Sequence, residues 1–320
     1  MGAYESMVQR ALDDKEGFWA EQAELIHWHK PFEQVLDYSK PPFTRWFVGG
    51  QTNLCYNAVD RHLATLGDSP ALIAVSTETG LEQTWSFKEL HQEVMRMSAI
   101  MQANGVGRGD RVLIYMPMIA EAAVAMLACA RIGAIHSVVF GGFASASLAT
   151  RIEDASPALI VSSDAGSRGG KVIPYKPLLD KAIELSSHKP PKVLLVDRSL
   201  APMDKQAGRD LDYATERAAV MDVQVDPVWL ESNEVSYTLY TSGTTGTPKG
   251  VQRDVGGYAV SMAASMKHIY CGESTARSSP VWRPSCMKAR RFDPTAVFFG
   301  AWSNNTKCRL CSPRPRQSGF

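Results

Sequence analysis

Residues 238–250 read Thr238-Leu239-Tyr240-Thr241-Ser242-Gly243-Thr244-Thr245-Gly246-Thr247-Pro248-Lys249-Gly250, a strand running straight into a loop of hydroxyls and glycines. Val235 to Tyr240 alternate as a strand does. Glycines let backbone N–H groups turn toward one point, hydroxyls add donors there, and Lys249 supplies a cation. That composition suits a polyphosphate. The nucleotide-binding pattern G-x-x-x-x-G-K-[ST] is not met, because Pro248 stands where its second glycine belongs and Gly250 where its Ser/Thr belongs. The phosphate loop is therefore of another kind.

Upstream of this loop the chain alternates strands and helices. Ala71–Val75 is a predicted strand. Ser86-x-x-Glu89 is a capping box that opens a helix running to about Asn104. Arg111–Tyr115 is the next strand, and an Ala- and Met-rich helix follows to Arg131, stopped by Gly133. Ile135–Phe140 reads as a strand, Ser145–Asp154 as a helix, Ala158–Ser162 as a strand, Lys176–Ser187 as a helix and Lys192–Val196 as a strand. Near-continuous apolar strands alternating with helices predict an α/β fold, a parallel sheet with helices on both faces. Ligands collect beyond the C-terminal strand ends of such sheets, where the Thr241–Lys249 loop falls. Residues 15–30 read as an amphipathic helix ended by Pro31, and Pro41-Pro42 as an extended loop. Residues 1–66 thus read as a helical N-terminal extension. Residues 197–226 are less regular and read as peripheral.

The loop Tyr-Thr-Ser-Gly-Thr-Thr-Gly-x-Pro-Lys-Gly closely resembles the signature of the adenylate-forming (AMP-binding) superfamily. The segment from Trp46 to His62 and the run Gly133–Phe143 resemble the acetyl- and propionyl-CoA synthetases. The wording from Val251 to Tyr258 is similar to the propionyl-CoA branch. The resemblance implies that Thr241, Ser242, Gly243, Thr244, Thr245, Gly246 and Lys249 hold the β- and γ-phosphates of ATP. It implies further that Arg168-Gly169-Gly170-Lys171 contacts coenzyme A. The implied reaction joins a short-chain carboxylate, propionate or acetate, to CoA through an acyl-adenylate, with Mg²⁺ on the triphosphate. The protein ligand for that metal is expected downstream of the matched region, so no metal ligand is assigned. No catalytic residue is assigned either, because the lid lysine of the family has no counterpart here.

The resemblance covers Met1 to about Gly272. The predicted organisation is an extension over 1–66, a partial adenylation domain over 67–272 and a largely irregular tail over 273–320. The acyl-pocket, adenine, ribose, hinge and lid motifs of the family are not found. The tail reads as a change of frame or a misjudged exon boundary, and the chain as truncated. A ligase by descent and a non-catalytic fragment with residual nucleotide, CoA or partner binding both stay open.

Composition sets further bounds. The 320 residues are 45% hydrophobic with net charge +1, enough for a real core and no argument for nucleic acid or a membrane surface. The average hides an asymmetry. Residues 274–320 hold nine Lys and Arg against one acid, Asp293, leaving −7 for residues 1–273. That tail is rich in Ser, Pro and Arg, with Phe298, Phe299 and Trp302 as an isolated apolar patch, and offers little to offset its ordering entropy. Cys308-x-x-Cys311 lacks the two further ligands zinc needs. No signal or span is evident, and a reducing cytoplasm is the expected compartment. His136, inside an apolar strand, is expected to pack rather than catalyse. His62, His91 and His268 are expected to be half-exposed. Oligomeric state is not legible.

Overall fold

The computed structural model describes residues 3–76, 78–241, 248–270 and 287–288. In chain order come α1 (Ala3–Asp13), α2 (Lys15–Ala23), β1 (Gln34–Lys40), β2 (Phe43–Val48), β3 (Gln51–Thr52), α3 (Leu54–Ala58) and α4 (Leu63–Leu66). There follow β4 (Pro70–Val75), β5 (Glu82–Ser86), α5 (Phe87–Ala103), β6 (Arg111–Met116), α6 (Ala120–Ile132), β7 (Ile135–Phe140), α7 (Ser145–Ala155) and β8 (Leu159–Ser163). Next are β9 (Ala165–Arg168), β10 (Lys171–Pro174), α8 (Tyr175–Leu185), β11 (Lys192–Val196), β12 (Asp210–Asp212), α9 (Tyr213–Ala219) and β13 (Leu230–Glu231). The last are β14 (Val235–Thr241), β15 (Lys249–Asp254), α10 (Gly256–Ser265) and β16 (Met287–Lys288).

One seven-stranded sheet carries the molecule, in the order β12-β11-β8-β6-β7-β14-β15. Its neighbours run parallel except β14 and β15, which form an antiparallel hairpin. Strand side chains alternate between faces. Val112, Ile114, Leu159, Val161 and Leu194 pack with α5 and α6. Leu113, Tyr115, Ile160, Val193 and Leu195 pack with α7 and α8. Both faces are therefore apolar, as the near-continuous runs predicted. Every residue of α6 except Glu121 is buried, which explains a helix of Ala and Met with no polar face.

The capping box at the start of α5 forms as predicted. The Glu89 amide donates to Ser86 Oγ at 3.2 Å and the Ser86 amide donates to Glu89 Oε2 at 2.7 Å, a cap worth about 1 kcal/mol. The helix predicted over 15–30 stops at Ala23. Asp14 caps its start through the Gly17 amide at 2.9 Å, and the chain then turns so that Trp28, Phe32, Phe47 and Ile26 close a small core against α10. The extension also holds the β1–β2 hairpin around Pro41-Pro42, which the sequence reading treated as a loop.

The peripheral segment is more ordered than expected. β12 joins the sheet edge beside β11, and α9 docks Arg217 on Glu93 of α5. Within the tail, Met287–Lys288 pair in parallel with Ala74 and Val75 of β4. The expectations about Phe298, Phe299, Trp302 and Cys308/Cys311 lie outside the described residues.

Candidate functional site

β8, β6, β7 and β14 run in one direction, so their C-terminal ends form one edge of the sheet. The loops leaving that edge are the β9–β10 hairpin after β8, the Gly141–Ala144 turn after β7, and the β14–β15 connection. β8 and β14 are three strand spacings apart in the sheet, which is about 14 Å at about 4.8 Å each. The two segments singled out in the sequence therefore leave the same edge.

Arg168-Gly169-Gly170-Lys171 is the tip of the β9–β10 hairpin. Arg168 pairs with Lys171, and Ser167 with Val172. Gly169 and Gly170 have φ of 59° and 79°, so the two-residue turn demands the left-handed region twice, which is what Gly-Gly supplies. A Cβ at either glycine would meet nothing within 4 Å. Backbone angle alone dictates the glycines. The turn also sets two exposed cations directly opposite each other, an arrangement that is destabilising by itself. Among the described residues neither Arg168 nor Lys171 has an ion-pair partner. An anion at the tip would relieve that repulsion.

A short two-stranded hairpin is marginal alone, and this one is braced at its root. The Ser167 amide donates to Glu78 Oε1. Arg198 pairs with Glu78 and donates to Ala165 O at 3.2 Å and to Ser76 Oγ at 3.3 Å. Asp164, fully buried, accepts from the amides of Leu200 at 2.6 Å and Ala201 at 3.4 Å. Tyr175 wedges between two glycines: a Cβ on Gly141 or Gly166 would lie 2.0 or 2.2 Å from its hydroxyl. Its ring packs 4.9 Å from Tyr115, and burial pushes the Tyr175 hydroxyl up to about 12.

Of the predicted phosphate residues, Thr241 and Lys249 are described. They face each other as the last pair of the β14–β15 hairpin, both exposed, and Thr241 Oγ1 donates to Lys249 O at 3.5 Å. Ser242, Gly243, Thr244, Thr245 and Gly246 lie outside the described residues. Beneath the hairpin, Arg151 of α7 sits 4.3 Å over the Phe143 ring and 5.6 Å from the Tyr240 ring. It donates to Ser147 O at 2.6 Å and has no carboxylate partner among the described residues. Burial draws its pKa down. The Tyr240 hydroxyl donates to Asp154 Oδ2 at 2.5 Å. Stacking thus ties the root of the β14–β15 hairpin to the turn after β7.

His136 is buried, as expected, and stacks 5.5 Å from Tyr237. Burial lowers its pKa to about 4, so the ring is neutral at pH 7. His62, expected to be half-exposed, is buried against Phe87 at 5.5 Å, because the short helical turn carrying it lies on α5. His91 reaches Asp60 at 3.2 Å, and His268 is exposed and bonds Gln22 at 2.8 Å. Among the described residues no group of three His, Cys, Asp or Glu could hold a metal ion, and no helix is long and apolar enough to cross a membrane. A shallow cavity of about 600 Å³ beyond β11, lined by Asp197, Leu200, Met203 and Lys205 among others, includes none of the predicted site residues. Glu78, Arg198 and Arg151 carry no sequence signal of their own, and only folding brings them to the two hairpins; Tyr175 directly follows β10 in the chain.

Comparison with known proteins was then informative. The sequence model described as AMP-binding enzyme matches residues 59–285, and that described as acetyl-coenzyme A synthetase N-terminus matches residues 4–58. The propionate–CoA ligase of Salmonella typhimurium is 61% identical over 272 residues, which is 85% of this chain and 43% of the relative. The acetyl-coenzyme A synthetase of Thiobacillus denitrificans is 46% identical over 271 residues, 84% of this chain and 41% of the relative. The solved acetoacetyl-CoA synthetase from Streptomyces lividans superposes with a TM-score of 0.76 at 27% identity, over 85% of this chain and 41% of its own. The chain spans less than half the length of these relatives.

Proposed function

The chain belongs to the family of AMP-binding enzymes, and on that premise we propose that its sheet edge binds ATP and coenzyme A for AMP-forming synthesis of a short-chain acyl-CoA, with propionate as the acid by resemblance to the propionate–CoA ligases. Thr241, Ser242, Gly243, Thr244, Thr245, Gly246 and Lys249 hold the β- and γ-phosphates. A carboxylate oxygen attacks the α-phosphorus, the bond to the bridging oxygen breaks, and pyrophosphate leaves still held by the same donors. Charge crowding dominates such a barrier, so preorganised donors and one cation are the suitable tool. Mg²⁺ arrives with the triphosphate and neutralises part of its charge. Arg168 and Lys171 take a phosphate of CoA at the hairpin tip. A cytoplasmic setting, where these substrates are made, belongs to the same proposal.

The observation that supports the reading is that Arg168, Lys171 and Lys249, exposed and without a carboxylate partner among the described residues, stand on two hairpins at one edge of the sheet. The test is binding by the purified 320-residue chain. Lys249→Ala should abolish tripolyphosphate and ATP binding and leave CoA binding intact; Arg168→Ala should do the reverse. ATP affinity indifferent to Lys249→Ala overturns the assignment.

A second reading concerns these 320 residues taken by themselves. In that reading this polypeptide binds its ligands without turnover. Positioning of the reacting groups can supply about 7–11 kcal/mol of a barrier, and a leaving-group site alone does not provide it. Propionate-dependent ATP–pyrophosphate exchange separates the two: robust exchange by the 320-residue chain favours the enzyme, exchange at background the binding remnant.

A further inference from the structure

The hairpin that carries Arg168 and Lys171 does not hold itself. Its register fixes Arg168 opposite Lys171, yet every residue from Ser167 to Val172 is exposed. Among the described residues, none from Ser167 to Val172 belongs to a hydrophobic cluster, and the hairpin's apolar anchor is Ile173, nearer the root, against the core of α7 and α8. What fixes its direction is at the root. Glu78, from the turn between β4 and β5, accepts the Ser167 amide, one residue before Arg168. Arg198, from the loop after β11, grips the same Glu78 and also Ala165 O. Both side chains of the pair are largely buried, at 10% and 14% exposure, so neither is a loose surface ion.

We propose that Glu78 and Arg198 form a clamp that positions the Arg168/Lys171 pair for the phosphate of coenzyme A, making both of them positioning residues for that ligand. The proposal rests on the reading of the hairpin as the CoA contact. Two like charges face each other across the turn, so the unclamped strands relieve repulsion by splaying. The clamp ties β9 to two segments packed elsewhere, and the cations stay converged before any ligand arrives. Preorganisation of this kind raises affinity without adding a contact to the ligand. A buried pair also has two partners that fail together, since removing one leaves the other uncompensated. The gentler variants are therefore Glu78→Gln, which keeps an acceptor for Ser167, and Arg198→Lys, which keeps the charge but loses the fork.

The test measures CoA, dephospho-CoA and tripolyphosphate binding to the 320-residue chain and to Glu78→Gln, Arg198→Lys, the double variant and Arg168→Ala. It adds amide exchange at Ser167 and in β8. The expected result is CoA affinity weakened about five- to twentyfold in each clamp variant, tripolyphosphate affinity unchanged, and a double variant no weaker than the worse single one. Exchange should speed up at Ser167 and stay slow in β8. Should Glu78→Gln lose protection in β8 as well, Arg198→Lys carries the test. Clamp variants that bind CoA like the parent, while Arg168→Ala binds it worse, overturn the clamp and leave the CoA reading standing. Arg168→Ala with unaltered CoA affinity overturns the reading and the clamp together.

Discussion

The two edges of the central sheet treat charge in opposite ways. At the N-terminal edge Arg131, Arg108 and Arg111 are each held by another part of the fold. Arg131, at the end of α6, donates to both oxygens of Asp60 at 2.9 Å and to Val225 O at 2.6 Å. Arg108 grips Glu234 just before β14. Arg111 donates to Ala155 O at the end of α7. Asn53, fully buried, donates to Ala130 O, Arg131 O and Val228 O, satisfying carbonyls that the end of a helix leaves open. At the C-terminal edge Arg198 is held by Glu78 and Arg151 by Ser147 O and two rings, but Arg168, Lys171 and Lys249 have no ion-pair partner among the described residues. Paired charge holds the scaffold together, and the cations left without a carboxylate stand on the two hairpins proposed to bind phosphate. The contrast separates residues that fold the chain from residues that serve it.

The contrast is open to test, beginning where the effect is largest. Arg131→Met should destabilise the chain by about 3–5 kcal/mol, since it leaves Asp60 buried without its cation. Urea unfolding checks this, and a loss under about 1 kcal/mol would remove the scaffold role from this edge. Next comes pH. His136 has a folded pKa of about 4 against an ordinary 6.5, so the unfolded chain binds the extra proton between those values. The neutral ring's contribution is complete above pH 6.5 and is lost as pH falls toward 4, by about 3 kcal/mol in all. Unfolding midpoints at pH 7, 5.5 and 4.5 should decline along that slope, and His136→Phe should flatten it.

A smaller effect is expected at Gly170, whose φ is 79° with open space around a Cβ. Gly170→Ala should cost about 1–2 kcal/mol from backbone strain alone, read as a lowered midpoint. Smallest of all, Arg168→Ala and Lys249→Ala should leave stability within about 0.5 kcal/mol of the parent, as exposed positions do. A loss above 1 kcal/mol at either would blur the distinction between the edges.

The sheet was legible because its causes are local. Ile135–Phe140 and Lys192–Val196 fall where alternation and apolar runs predict them. The capping box of α5 and the left-handed Gly133 that ends α6 are short-range signals as well. The stop at Ala23 was missed because the aromatic cluster against α10 decides it, and α10 lies more than two hundred residues away. β12 was missed because three residues of mixed polarity carry no period. For the candidate site, the two turns were readable from their glycines and cations. Glu78 and Arg198 were not, since an ion pair between residues 120 apart leaves no mark on either sequence neighbourhood.

The pairing of β3 with β13, Thr52 opposite Leu230, has a bearing on how the chain is made. Synthesis delivers Gln51–Thr52 early, and their partner strand only after roughly 180 further residues. Asn53 is likewise synthesised long before Val228 O, one of the carbonyls it will satisfy. Until then β3 lacks β13, and the aromatic side chains from Trp28 to Trp46 lack α10, the helix that closes their core. Closure of such distant contacts is the slow kind. The extension is thus made long before it is sealed, and a chaperone that holds nascent apolar segments would find its target there.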